Sequence, residues 1–159
     1  MWSGSGNNKL INKFLKYPLL LILVVFAVIQ FFSPSKNSEP TELAKILPTD
    51  MNANSEVTKI LATSCFDCHS NCTNYPWYAD SHPIGWWMSN HIQEGKKAIN
   101  FSDFENLGLI RRRSKLESIL KQIQQDKMPL SSYMKLHPES RLNEQQKRII
   151  TDWVKSLDY

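Results

Sequence analysis

Cysteine is scarce in this chain: only three of its 159 residues, Cys65, Cys68 and Cys72, all in one short stretch. There is no second cluster, which counts against a zinc module, since such sites usually draw ligands from two separated knuckles. Excess charge of one sign is missing too. The net charge is +4, and Lys9, Lys13 and Lys16 near the start supply most of it, leaving 16 basic and 15 acidic residues that nearly cancel. No broad basic face results, so a pI near 9.0 is no argument for nucleic acid, and none is expected as a partner. Arg111, Arg112 and Arg113 form the one local cluster, read as the solvated start of a helix rather than a docking patch. Alternating apolar and polar runs are absent, which argues against sheet structure. No internal repeat or low-complexity block occurs.

One long apolar run is present, Pro18 to Phe32, preceded by the three lysines and followed closely only by Lys36. It is short for a spanning helix, which takes about 17 to 25 residues, but Phe14, Leu15 and Tyr17 extend it while Lys16 snorkels. An Ala-x-Ala-like cleavage site is missing around Gln30-Phe31-Phe32-Ser33, so a retained anchor is favoured over a cleaved signal. No lipid-accepting cysteine follows. Residues 1–32 are therefore expected to form a membrane anchor, touching the bilayer through residues 14–32. The lysine bias keeps its N-terminus in the cytoplasm, which makes this a single-pass protein of the inner membrane with its folded part periplasmic or otherwise extracytoplasmic. Residues 33–53, with Pro34, Pro40 and Pro48, read as a polar linker. Residues 54–159 remain for the folded domain, a core of about 110 residues that a large buried cofactor would help to complete. Trp77, Trp86, Trp87 and Trp153 supply ring area suited to a flat ligand.

Within the domain the periodicity is helical. After Ser55, an expected N-cap, Val57, Ile60, Leu61 and Ser64-Cys65 share a face. After Ser81 and Pro83, a stripe of Ile84, Trp87, Met88, His91, Ile92 and Ile99 follows. Residues 112–127 carry Leu116, Ile119, Leu120 and Ile123 at helical spacing. Asn143 with Gln146 has the pattern of a capping box ahead of Ile149, Ile150, Trp153, Val154 and Leu157. A short turn at 102–105 shares that signature, and residues 70–81 and 128–142 read as loops. The expected fold is all-α, a small helical domain behind an N-terminal membrane helix.

The chemistry concentrates in Cys65-Phe66-Asp67-Cys68-His69. This spacing is the attachment signature of a c-type haem. Two thiols about one helical turn apart reach the two vinyl groups of a porphyrin, and the adjacent imidazole then lies beneath the ring to bind the iron. A structural disulfide, a redox dithiol and a zinc site that also uses Cys72 are the alternatives. Haem c, one per chain, ranks first, with Cys65 and Cys68 as thioether residues and His69 as proximal ligand.

The wider pattern resembles the haem-binding domain family of exported bacterial proteins. The likeness runs over roughly residues 57–157, through Cys65 to Asn71, Tyr75-Pro76-Trp77-Tyr78, Gly85-Trp86-Trp87 and His91-x-x-Glu94-Gly95. It continues in Asn100-Phe101-Ser102, Met128-Pro129-Leu130-x-x-Tyr133 and His137-Pro138. Cys72 departs from that pattern and leaves a spare thiol. The resemblance implies haem binding in a cytochrome c-like domain.

Met128 is the leading distal ligand, because it precedes Pro129 in a loop after a helix, as the distal methionine does in small c-type cytochromes. His91, on the apolar stripe of its own helix, is the rival. Met88, Met134, His82 and His137 rank lower, the two histidines preceding proline as turn residues do. No peroxidase-like distal acid–base set is visible. Single-electron transfer with redox protein partners is therefore placed ahead of a sensor or peroxidase-like enzyme with an open distal site, and both ahead of a thiol-redox or zinc module.

Overall fold

The structure, a computed structural model, describes residues 7–37 and 46–157, with side chains in the first helix from residue 15 onward. Seven α-helices follow in chain order: α1 (Asn7–Ile29), α2 (Ser55–Ser64), α3 (Phe66–His69), α4 (Ile84–Ala98), α5 (Leu109–Gln124), α6 (Ser131–Leu136) and α7 (Glu144–Lys155). Short 3₁₀ turns sit between them, and the described residues contain no strand. The chain is all-α.

Contacts divide it into two units, α1 through Ser35 with Pro76–Ser89, and Lys36–Tyr75 with Asn90 onward. In the first unit, the backbone of His82 bonds the Gln30 side chain twice, N–H to Oε1 and C=O from Nε2, both at 3.0 Å. The Trp86 indole donates to Phe32 O at 2.6 Å. His82 is buried and stacks on Trp86, and its Nε2 lies 3.1 Å from Ser33 Oγ. Along α1, Leu19 to Phe26 and Val28 are each between 49% and 63% exposed. Among the described residues no helix is long and apolar enough to cross a membrane.

The second unit holds the core. Phe66, Phe101, Phe104, Leu61, Ile150 and Met51 are almost fully buried, each large side chain contributing on the order of 1.5–3 kcal/mol. α2 begins at Ser55, but Asn54 caps it, its Oδ1 accepting from Val57 N at 2.9 Å. α7 has the full capping box expected of Asn143 and Gln146.

Three further expectations need correction. Residues 46–53 are not tether, since Ile46, Leu47 and Met51 join the core cluster and Met51 O accepts from the Trp153 indole at 2.8 Å; residues 38–45 of the expected linker lie outside the described residues. α5 starts three positions before Arg112, which is buried, 8% exposed. It pairs with Asp50 and donates to Leu107 O and Glu105 O, fastening the chain ahead of α5 rather than solvating a helix start. Residues 128–142 also contain α6 and a 3₁₀ turn at Pro138–Ser140.

Candidate functional site

α2 runs into the cysteine motif and breaks there. Cys65 N still bonds Leu61 O at 2.8 Å, yet Cys65 has φ −131°, which offsets the single turn of α3 from the preceding helix. His69 N closes that turn on Cys65 O at 3.0 Å. Phe66 fastens it from within, buried and packed edge-on against Phe101 with ring centroids 5.5 Å apart. Short-range polar bonds hold the outside. Ser70 Oγ donates to Phe66 O, Thr73 Oγ1 donates to Asp67 O, and Asn74 N donates to Asp67 Oδ1.

His69 meets the end of α4. Its Nδ1 lies 2.9 Å from Gly95 O and 3.1 Å from Ile99 O. Carbonyl oxygens only accept, so Nδ1 carries the proton and Nε2 keeps the lone pair. Burial holds the imidazole below the usual histidine range, against the opposite pull of those two bonds, so the ring stays neutral. A neutral ring oriented by backbone carbonyls is the arrangement usual for a metal-binding histidine. The approach depends on Gly95, because a Cβ there would stand 2.6 Å from Cys68 O and 3.3 Å from Cys68 Cβ.

Two adjoining cavities open on this turn. One, about 190 Å³, is lined by Cys65, Cys68, His69, His91, Met128 and Tyr133 among others. The other, about 250 Å³, is walled by Phe101, Ile119, Ile123, Leu142 and the stem of Lys115, and shares Cys65, His69 and Met128 with the first. The fold thus brings the motif, Met128 and His91 together. His91 lines the first cavity, with Cys68, and not the second. A larger cavity of about 870 Å³ lies against Leu47, Thr58 and Ala62 and has no cysteine, histidine or methionine in its wall.

Met128 is delivered by the end of α5. Asp126 takes φ 52°, and the amides of Lys127 and Met128 return to Gln122 O, reversing the chain into buried Pro129. The tryptophans do not serve as expected. Trp153 is buried in the core, and Trp77, Trp86 and Trp87 are exposed parts of the first unit; Phe101 supplies the aromatic wall. Gly95, Asp67 and Ile99 take part without having been singled out for a role. The one available signal was Gly95 itself, a glycine inside a helix, which costs about 1 kcal/mol unless something demands it.

All three cysteines are free. Desolvation, then the neighbouring Cys68, pushes the Cys65 thiol up to about 12, and desolvation, then Asp67, pushes Cys68 up to about 11. Among the described residues no three histidine, cysteine or acidic side chains are grouped to hold a metal ion. His137 stacks on Tyr133, with centroids 4.4 Å apart.

A family model described as Haem-binding domain matches residues 24–156, most of the chain. No curated protein and no solved structure matches it.

Proposed function

From the premise that this chain belongs to the haem-binding domain family, we propose that it holds one haem c and passes single electrons. The observation that carries the reading is His69. Its Nδ1 is spent on Gly95 O and Ile99 O, so Nε2 is left as a ligand beside two neutral thiols. The residues fit the group, with an apolar wall, two cysteines one turn apart and an oriented imidazole on one cavity edge. When bound, haem supplies a one-electron iron couple. Cys65 and Cys68 fasten it by thioether bonds, and His69 is the proximal ligand.

Met128 is the distal ligand in this reading. It lines both cavities together with Cys65 and His69, whereas His91 lines only the one that also holds Cys68. A thioether is soft and neutral, so methionine–histidine coordination gives a closed site of comparatively high potential, suited to carriage rather than catalysis. Visible spectroscopy tests this. Met128→Ala is expected to abolish the weak sulfur-to-iron charge-transfer band, lower the potential and admit carbon monoxide, while His91→Ala leaves the band intact. A band missing from the unmodified protein, with carbon monoxide admitted only after His91→Ala, means bis-histidine coordination. Rapid carbon monoxide binding by the unmodified protein favours the sensor or enzyme reading instead.

The membrane reading belongs here too. Consecutive positions of α1 cover every side of a helix, and from Leu19 to Phe26 all of them expose apolar side chains. Gln30, the polar residue of the Pro18–Phe32 run, has its amide engaged by Phe26 O and the His82 backbone. Such a surface suits a lipid environment, with Lys9, Lys13 and Lys16 on the cytoplasmic side and the haem domain outside. Redox proteins of that compartment are the partners.

A further inference from the structure

α6 is poorly fastened by its own residues. It is six residues long, contains no buried side chain, and begins directly after Met128-Pro129-Leu130. Pro129 is buried and anchors the start of this segment, but no residue of α6 beyond it is. Tyr133 supplies another attachment. Its hydroxyl donates to Asp67 Oδ2 at 2.6 Å, while its ring stacks on His137 and lines the cavity beside Cys68, His91 and Met128. Asp67 is itself immobilised, because Asn74 N donates to its other oxygen and Thr73 Oγ1 to its carbonyl. It also lies inside the Cys65–His69 motif. The bond thus ties the loop bearing one candidate iron ligand to the turn bearing the other.

We propose that Tyr133 and Asp67 form a latch that keeps Met128 on the iron, making Tyr133 a positioning residue for the distal ligand. The inference rests on Met128 being that ligand. Hydrogen bonds to an ionised acceptor are the stronger kind, and losing one shifts a two-state balance by about tenfold or more. Without the latch, the Met128 loop lifts more often and the iron spends more time five-coordinate. A change at Tyr133 is therefore read at the iron.

The test uses the full haem-loaded chain. Tyr133→Phe keeps the ring and removes only the donor. It is expected to speed carbon monoxide binding to the ferrous protein about tenfold and to weaken the charge-transfer band, with haem still retained on denaturing electrophoresis. Asp67→Ala should match it, and the double variant should be no worse than either single one, because both remove the same bond. Asn143→Ala, which weakens the cap of α7, should lower the melting temperature and leave the band and the carbon monoxide rate unchanged. An unaltered rate in Tyr133→Phe, additive effects in the double variant, or an equal rise in Asn143→Ala overturns the latch while Met128 ligation stands. Absence of the charge-transfer band in the unmodified protein overturns Met128 ligation, and the latch with it.

Discussion

At the scale of single residues, the three cysteines divide by position. Cys65 and Cys68 border the cavity that His69 lines, whereas Cys72 is not among its lining residues and its amide bonds Ser70 Oγ. Cys65→Ala or Cys68→Ala should therefore weaken or abolish covalent haem when the chain is expressed with an export and maturation system, and Cys72→Ser should keep it. Haem staining after denaturing electrophoresis, with a pyridine haemochrome spectrum, reads the result. Full retention in the Cys65→Ala/Cys68→Ala double variant would sink the attachment. The motif was legible because its chemistry lies within five consecutive positions. Asp67 was not, since its partners Tyr133 and Asn74 meet it only in the folded chain. Arg112 was misread for the same reason. Nothing near it in sequence announces that Asp50 and the carbonyls of Glu105 and Leu107 surround it.

Between elements, α4 approaches α3 closely at Gly95. Gly95 admits the Cys68 backbone where a methyl group would collide with it, and its own carbonyl orients His69. Gly95→Ala gains helix propensity locally, about 1 kcal/mol, and forces the two elements apart, an overpacking cost of about 1–3 kcal/mol. The expected outcome is a lower melting temperature with a disturbed haem spectrum, measured by thermal unfolding and visible absorption on the same sample. A variant with a raised melting temperature and an unchanged spectrum would mean that the contact yields freely. Helix existence was readable from periodicity in α2, α4, α5 and α7, and the α7 cap from two residues. α6 escaped because it has no apolar stripe to read, with Ser131, Ser132, Lys135 and Leu136 all exposed.

For the whole molecule, the lysines in the first half of α1, ahead of its apolar run, predict the side on which the domain resides. A reporter active only in the cytoplasm, fused after Tyr159, is expected to be silent, and the chain should partition with membranes after salt washing. Strong reporter activity would reverse the orientation and leave thioether formation by an export-linked maturation system without an explanation. What the sequence by itself determined is whatever neighbouring residues decide together: helical periodicity, the capping box, the lysine-flanked apolar run, and two thiols placed one turn apart with a histidine beside them. The tertiary structure decided which distant groups meet. It set the Gly95 and Ile99 carbonyls on His69 Nδ1, brought Met128 and His91 to one cavity with the cysteine motif, and drew Ile46, Leu47 and Met51 out of an expected linker into the core. Those outcomes depend on the packing of helices far apart in the chain, where burial of apolar surface selects partners that no local pattern encodes.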